Sequence, residues 1–269
     1  HNNNNNNNKS LYEFCKSSLQ LNPTKEFLYL GLGGVFAQGE WIFWEAVGLV
    51  VGQLGVVALS VHTIPNQIIM ASCLVSHSLG TALAIRMGVS LPVSVRRTKL
   101  IVIATTVFST VLVGIISIGI YVCKNIIIAL FSNDNDVKQL AGIIWTQVVL
   151  FNMNGGIFAI LQGITTGLGR QWTLGIINFV FLWIIGLPII YYKCIRLHGG
   201  LDDVWFWMNI PYLGMNITLV IVFICSDWYA IQKQINESDD ENEDDNDEAD
   251  AEAEGSSSLL MTEDNGIDE

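Results

Sequence analysis

Apolar and polar positions in this chain fall into long blocks rather than a short alternation. Six apolar runs follow one another, at 27–54, 56–85, 100–123, 140–161, 172–192 and 204–225. Each supplies the roughly 20 residues that a helix needs to cross about 30 Å of hydrocarbon. The first two are longer and are expected to tilt or to overhang the surface. Lipid offers backbone N–H and C=O groups no partner, so runs of this length are predicted to be helical. The short alternating strands of a membrane barrel do not appear. Polar breaks separate the runs: 90–99, with Pro92, Arg96, Arg97 and Lys99; 133–136; Gly167-Leu-Gly-Arg170; and 198–203, with Gly199 and Gly200.

The expected class is an all-α membrane protein with six transmembrane helices. Residues 1–26 form a polar N-terminal segment that opens with His1 and seven Asn. Residues 27–228 form the six-helix region. Residues 229–269 are acidic and Ser-rich, and are predicted to be a disordered cytoplasmic tail.

Composition supports the membrane reading. Only 14% of the 269 residues are charged, against about 25% in soluble domains. The net charge of −12 is a property of the tail, because 16 of the 25 acids lie from Glu237 onward and no Lys or Arg follows Lys233. The rest of the chain is slightly basic, and no basic patch with interleaved aromatics points to nucleic acid. Basic residues at the run ends favour both termini in the cytoplasm. Lys25, Arg96, Arg97, Lys99, Arg170 and Lys233 lie on that side. Lys124, Lys138, Lys193 and Arg196 lie opposite, among Asp134, Asp136, Asp202 and Asp203. An integral multi-pass protein of the plasma or vacuolar membrane is expected. Cys15, Cys73, Cys123, Cys194 and Cys225 are too scattered for a metal or disulfide framework and are read as buried free thiols. No nucleophile–base pair, metal site or cofactor motif is visible, so no enzyme and no cofactor is expected.

Glu40 and Glu45 stand out, because they alone among the acids fall deep in an apolar run. Glu40 lies roughly 20 Å along its helix, near mid-membrane. A central charge costs at least about 3 kcal/mol on insertion scales, so such residues face a cavity or a partner. Five positions apart, the two carboxyls point roughly 140° from one another; one is expected to face a cavity and the other a neighbouring helix. A carboxyl away from water holds a proton, and a bound cation favours its ionised form. If either species neutralises the group but not both together, their movements are coupled. Trp41, Phe43 and Trp44 lie between the acids, and aromatic faces attract cations.

The run Glu40-Trp41-Ile42-Phe43-Trp44-Glu45 resembles the E-W-x-x-aromatic-E motif in the seventh helix of eukaryotic multidrug and toxic compound extrusion (MATE) transporters. Further resemblances follow in order. They are Thr81-Ala-Leu-Ala-Ile-Arg86-Met-Gly88, Phe131-Ser-Asn-Asp-Asn-Asp136-Val137, Gly163-Ile-Thr-Thr-Gly167-Leu-Gly169-Arg-Gln171, Asn178 with Gly186-Leu-Pro188, and Asp227-Trp228. Together they cover about residues 27–230. The resemblance implies the second of two six-helix lobes around a central cavity, with a first lobe missing through a truncated gene model. It also implies exchange of small organic cations for protons or sodium, with Glu40 and Glu45 as the coupling acids. Trp41, Phe43, Trp44 and Asn154 are the expected substrate contacts. There are departures from the family pattern. Gly155 stands where many members carry a tenth-helix acid, Thr166 where an Arg is usual and Ser76 where a Pro is usual; the segment around Val89–Pro92 is shortened.

Asn66, Gln67, Asn152, Asn178 and Asn216 are read as amides that hold helices together. Gly163 and Gly167 permit close helix approach. Arg86 is read as a snorkelling side chain. His62 and His77 are read as packed or pore-lining imidazoles before proton relays. Two other functions are weighed against antiport. A lipid-linked sugar flippase of similar architecture would need a cationic cavity. A non-transporting membrane receptor or scaffold would bind a partner without flux.

Overall fold

A computed structural model describes residues 21–237. The readings of 1–20 and 238–269, including Cys15 and most of the acidic tail, lie outside the described residues. The described part is helical, with no strand among its residues. Its helices are α1 (Leu21–Ala37), α2 (Gly39–Gly52), α3 (Val56–Ser90), α4 (Val95–Val122), α5 (Lys124–Phe131), α6 (Asn135–Gly167), α7 (Gln171–Arg196), α8 (Leu201–Cys225) and α9 (228–237).

Five of these, α3, α4, α6, α7 and α8, are each long and apolar enough to cross a membrane. The sixth expected span, 27–54, is divided at Gln38 into α1 and α2. Helical backbone is already present at Leu21, inside the segment expected to carry no pattern. α3 and α6 have 35 and 33 residues, roughly 50 Å each at about 1.5 Å per residue. They outrun the hydrocarbon, which is why apolarity alone gives runs shorter than the helices, 56–85 and 140–161. α7 contains π-helical stretches at Phe179–Gly186 and Tyr192–Arg196, flanking Pro188. A missing N–H and ring bulk at a proline favour such a local change of winding.

α6 is the most buried of the spanning helices and the hub of the bundle. It meets α3 through glycines: a Cβ on Gly163 would run into the backbone of Gly80, and one on Gly80 into the carbonyl of Ala159. Close backbone approach replaces the hydrophobic drive that is missing between helices in lipid. Trp145 donates through Nε1 to the Ile120 carbonyl at 3.0 Å, and Asn152 donates through Nδ2 to Ser117 Oγ at 2.8 Å, fixing α6 to α4. Asn209 donates through Nδ2 to the Gln147 carbonyl at 3.2 Å, and Asn216 to the Asn154 carbonyl at 3.0 Å, fixing α6 to α8.

α4 shows how the bundle meets lipid. Leu100, Ile103, Val107, Val111, Ile115, Ile118 and Val122 form one exposed apolar stripe. Its buried side carries Thr98, Ser109 and Ser117 among valines. The bulky apolar residues face out and small polar ones face in, the reverse of a soluble amphipathic helix.

One expectation about the tail is corrected. Residues 228–237 form α9, which packs against the bundle. Trp228 is buried, Lys99 Nζ lies 5.5 Å from its ring centroid, and Gln232 Nε2 donates to the Pro92 carbonyl at 2.8 Å. The alternation of Trp228, Ile231 and Ile235 with polar residues gives α9 an apolar side. The acidic composition downstream masks that pattern. The thiols also differ from expectation. Cys194 is buried, Cys73 is half-buried, and Cys123 and Cys225 are exposed.

Candidate functional site

The α1–α2 break positions the site. Gln38 interrupts the helix with φ −82° and ψ 3°, and the Ala37 carbonyl accepts a hydrogen bond from Asn178 Nδ2 of α7 at 2.8 Å. Higher on α7, Trp172 Nε1 donates to the Tyr29 carbonyl at 3.1 Å, in a notch left by Gly33. α7 therefore clamps α1 at two carbonyls. The turn after the break starts α2 and directs Glu40 into the bundle, where it is 7% exposed.

Glu40 meets α8. The hydroxyl of Tyr212 donates to Glu40 Oε1 at 2.6 Å, and Trp44 Nε1 donates to that hydroxyl at 3.1 Å. Tyr212 thus uses its proton on the carboxyl and a lone pair on the indole. Its ring is held edge-on by Phe151 and Phe158 of α6, with centroids 4.7 Å and 5.6 Å away. Glu40 Oε2 is buried and has no hydrogen-bond partner. The carboxyl lines a cavity of about 20 Å³ with Cys73 and His77 of α3, Phe151 and Gly155 of α6, and Tyr212, room for about one water molecule. No Lys or Arg lines it.

Glu45 points elsewhere, as the 140° separation requires. It is exposed and lines a groove of about 380 Å³ between α2 and α3, with Trp41, Trp44, His62, Asn66 and Met70. Trp41 and Trp44 line both spaces, so they form the wall between the buried carboxyl and the open groove. Trp41 is held by its own Nε1 bond to Gln38 Oε1 at 3.0 Å. Again no Lys or Arg lines the groove.

Two expected contacts lie away from these spaces. Phe43 is fully buried and packs edge-on against Trp183 of α7, 6.5 Å between centroids. Three positions from Glu40, it faces the α7 side of α2. Asn154 faces α8 and donates to Asn209 Oδ1 at 2.9 Å, within the amide network that joins α6 and α8. Its neighbour Gly155 turns toward Glu40: a Cβ there would sit 3.5 Å from Cys73 Sγ.

Sequence reading missed Tyr212, because a tyrosine in an apolar run carries no signal of a partner 172 positions away. Its pairing with Glu40 is a tertiary fact. His77 was noted, but as an isolated imidazole; the sequence could not place it in the same cavity as Glu40.

Comparison with known proteins gives this geometry a family. The MatE family profile matches residues 39–192, more than half of the chain. An uncharacterized transporter of Schizosaccharomyces pombe is 25% identical over 202 residues, 74% of this chain and 36% of that protein. Multidrug and toxin extrusion protein 2 of Oryctolagus cuniculus is 22% identical over 193 residues, 70% of this chain and 32% of that protein. The crystal structure of the eukaryotic MATE transporter AtDTX14 superposes with a TM-score of 0.72 at 17% identity, covering 80% of this chain and 49% of that one. A Vibrio cholerae MATE transporter, VcmN, gives a TM-score of 0.68 at 15% identity, covering 76% and 47%. The chain thus spans about a third of those two curated relatives and about half of the solved transporters. It belongs to the MatE family of transporters, as an all-α, multi-pass integral membrane protein.

Proposed function

We propose that this chain acts as one lobe of a secondary active antiporter that exports small organic cations in exchange for protons or sodium ions. The observation that carries the reading is the Glu40 carboxyl. It is buried in the first turn of α2, it has one oxygen held by Tyr212, and its other oxygen is buried without a partner beside a small cavity that no Lys or Arg lines. A group so placed binds a positive charge from outside the protein, either a proton or a cation. Glu45 supports the reading from the open side: its groove offers a carboxylate beside two indoles, which suits a flat organic cation. Trp41 and Trp44 are the aromatic contacts favoured by this geometry, ahead of Phe43 and Asn154.

In this scheme the cation enters against Glu45 and the tryptophans, and its charge displaces the proton held at Glu40. The wall formed by Trp41 and Trp44 couples the two events, because Trp44 also bonds the tyrosine that holds Glu40. The α3–α4 loop, the α6–α7 junction and α9 would face the cytoplasm, on the strength of Arg96, Arg97, Lys99, Arg170 and Lys233. The flippase reading is disfavoured by the absence of Lys and Arg from the cavity and the groove.

Proton release on binding tests the reading. The protein is titrated with a fluorescent organic cation in weakly buffered medium, with a pH indicator present. Release of protons together with binding, lost in Glu40→Gln, is expected. Binding without release in the unmutated protein overturns the proton-coupled form, and a sodium-dependent affinity would then identify the other ion.

A further inference from the structure

We propose that His77 is the residue through which Glu40 exchanges its proton with the end of the bundle that carries the α3–α4 loop. The proposal rests on the reading of Glu40 as the coupling acid and adds the route by which its proton moves.

Glu40 needs such a route, because 7% exposure leaves its carboxyl without direct access to bulk water. The groups around its cavity narrow the choice. Tyr212, from α8, is committed: its hydroxyl donates to Glu40 Oε1 and accepts from Trp44. α6 contributes Phe151 and Gly155, neither of which titrates. α2 contributes Trp41 and Trp44 beside Glu40 itself, while Glu45 lies in the separate groove. α3 contributes Cys73 and His77, four residues apart and so on one face of the helix. A thiol has one exchangeable proton and no second nitrogen to pass it on, whereas an imidazole takes a proton on one nitrogen and releases one from the other.

The position of His77 fits this role. Its ring lines the cavity yet the residue is only half-buried, so it spans from the enclosed space to the outside. It is stacked beside Trp41, 5.8 Å between centroids, which holds the ring at the wall. Cys73 is the middle residue of α3, and His77 lies one turn beyond it, roughly 6 Å closer to Ser90 and to the end that carries the α3–α4 loop.

The transfer balances simply. The proton on Glu40 Oε2 passes across the one-water cavity to one imidazole nitrogen, the other nitrogen releases its proton outward, and the carboxylate is left ionised. No electrons move. Gly155 gains a reason in the same picture, since it lines the cavity and a side chain there would project toward Cys73, taking up the small space that Glu40 and His77 share.

The test is infrared spectroscopy of the chain reconstituted in lipid. The neutral-carboxyl band of Glu40 is assigned by its loss in Glu40→Gln, and its rate of hydrogen–deuterium exchange is followed after transfer to heavy water. His77→Gln is expected to keep the band and slow its exchange at least about tenfold, as loss of a positioned acid–base group does. In His77→Gly, added imidazole is expected to restore the rate. Wild-type exchange in His77→Gln, or slow exchange in His77→Gly that imidazole does not restore, overturns the relay while leaving Glu40's role standing. Absence of any band lost in Glu40→Gln contradicts the role of Glu40 itself, and the relay with it.

Discussion

Tyr212 Oη lies 2.6 Å from Glu40 Oε1, and this bond joins α2 to α8 across 172 residues of chain. The same hydroxyl accepts from Trp44 at 3.1 Å. The carboxyl that marks the motif is thus held by a residue outside it, and that residue reports on the indole facing the open groove.

Tyr212→Phe removes both bonds and leaves Glu40 with two unpartnered oxygens. A buried acceptor left unsatisfied costs about 1–3 kcal/mol, so Tyr212→Phe is expected to destabilise the folded protein by that order. Denaturation in mixed micelles reads the loss. Trp44→Phe keeps the Tyr212–Glu40 bond and is expected to cost less. Equal losses in the two variants would show that the hydrogen-bonded chain acts as one unit rather than through its carboxyl end.

The Gly80–Gly163 contact predicts a strong steric effect. Gly163→Val is expected to separate α3 from α6, since even a Cβ meets the Gly80 backbone. Overpacking of this kind costs about 1–3 kcal/mol or more. Gly155→Ala is expected to be nearly neutral, because its Cβ meets only ordinary contacts at 3.5 Å and beyond. Thermal stability of the two purified variants separates a backbone clash from a general intolerance of side chains on α6.

Asn178→Leu removes the bond to the Ala37 carbonyl at the α1–α2 break. Interhelical amide bonds in membranes contribute roughly 1–2 kcal/mol at most, so the fold is expected to survive. The break, however, sets the direction of Glu40. Cation binding is therefore expected to weaken more than stability does, which parallel measurement of both would reveal.

α9 gives a separate prediction. Trp228→Ala is expected to release residues 228–237 from the bundle, because Trp228 is the buried anchor and receives the Lys99 ammonium. Trypsin cleavage after Lys233 should then accelerate, by about tenfold for each 1.4 kcal/mol of docking energy lost. Unchanged cleavage would mean that the helix stays docked through Gln232 and its isoleucines.

The sequence reveals the elements of this protein better than their partners. Long apolar runs have one structural solution in lipid, so six spans could be placed, and the opposed directions of Glu40 and Glu45 follow from helical geometry alone. The Gly163–Gly167 spacing likewise announced a close contact. Other features depend on what lies across the bundle. Nothing local distinguishes Phe43, packed on Trp183, from Trp44, which reaches Tyr212. Asn154 and Gly155 are adjacent, yet a rotation of about 100° per residue sends one toward α8 and the other toward Glu40. The polar ends of α3 and α6 and the amphipathic α9 were obscured because average hydropathy does not register helical periodicity outside the hydrocarbon.

The most direct test of the account is uptake of a fluorescent organic cation into proteoliposomes under an imposed pH gradient, comparing the unmutated protein with Glu40→Gln and Glu45→Gln. The account predicts gradient-driven uptake in the unmutated protein. Uptake is lost in Glu40→Gln. In Glu45→Gln it weakens mainly through lower apparent affinity, because Glu45 faces the open groove and Glu40 the buried cavity. Full-rate, gradient-driven uptake by correctly inserted Glu40→Gln protein would contradict it, as would absence of uptake by the unmutated protein under both proton and sodium gradients.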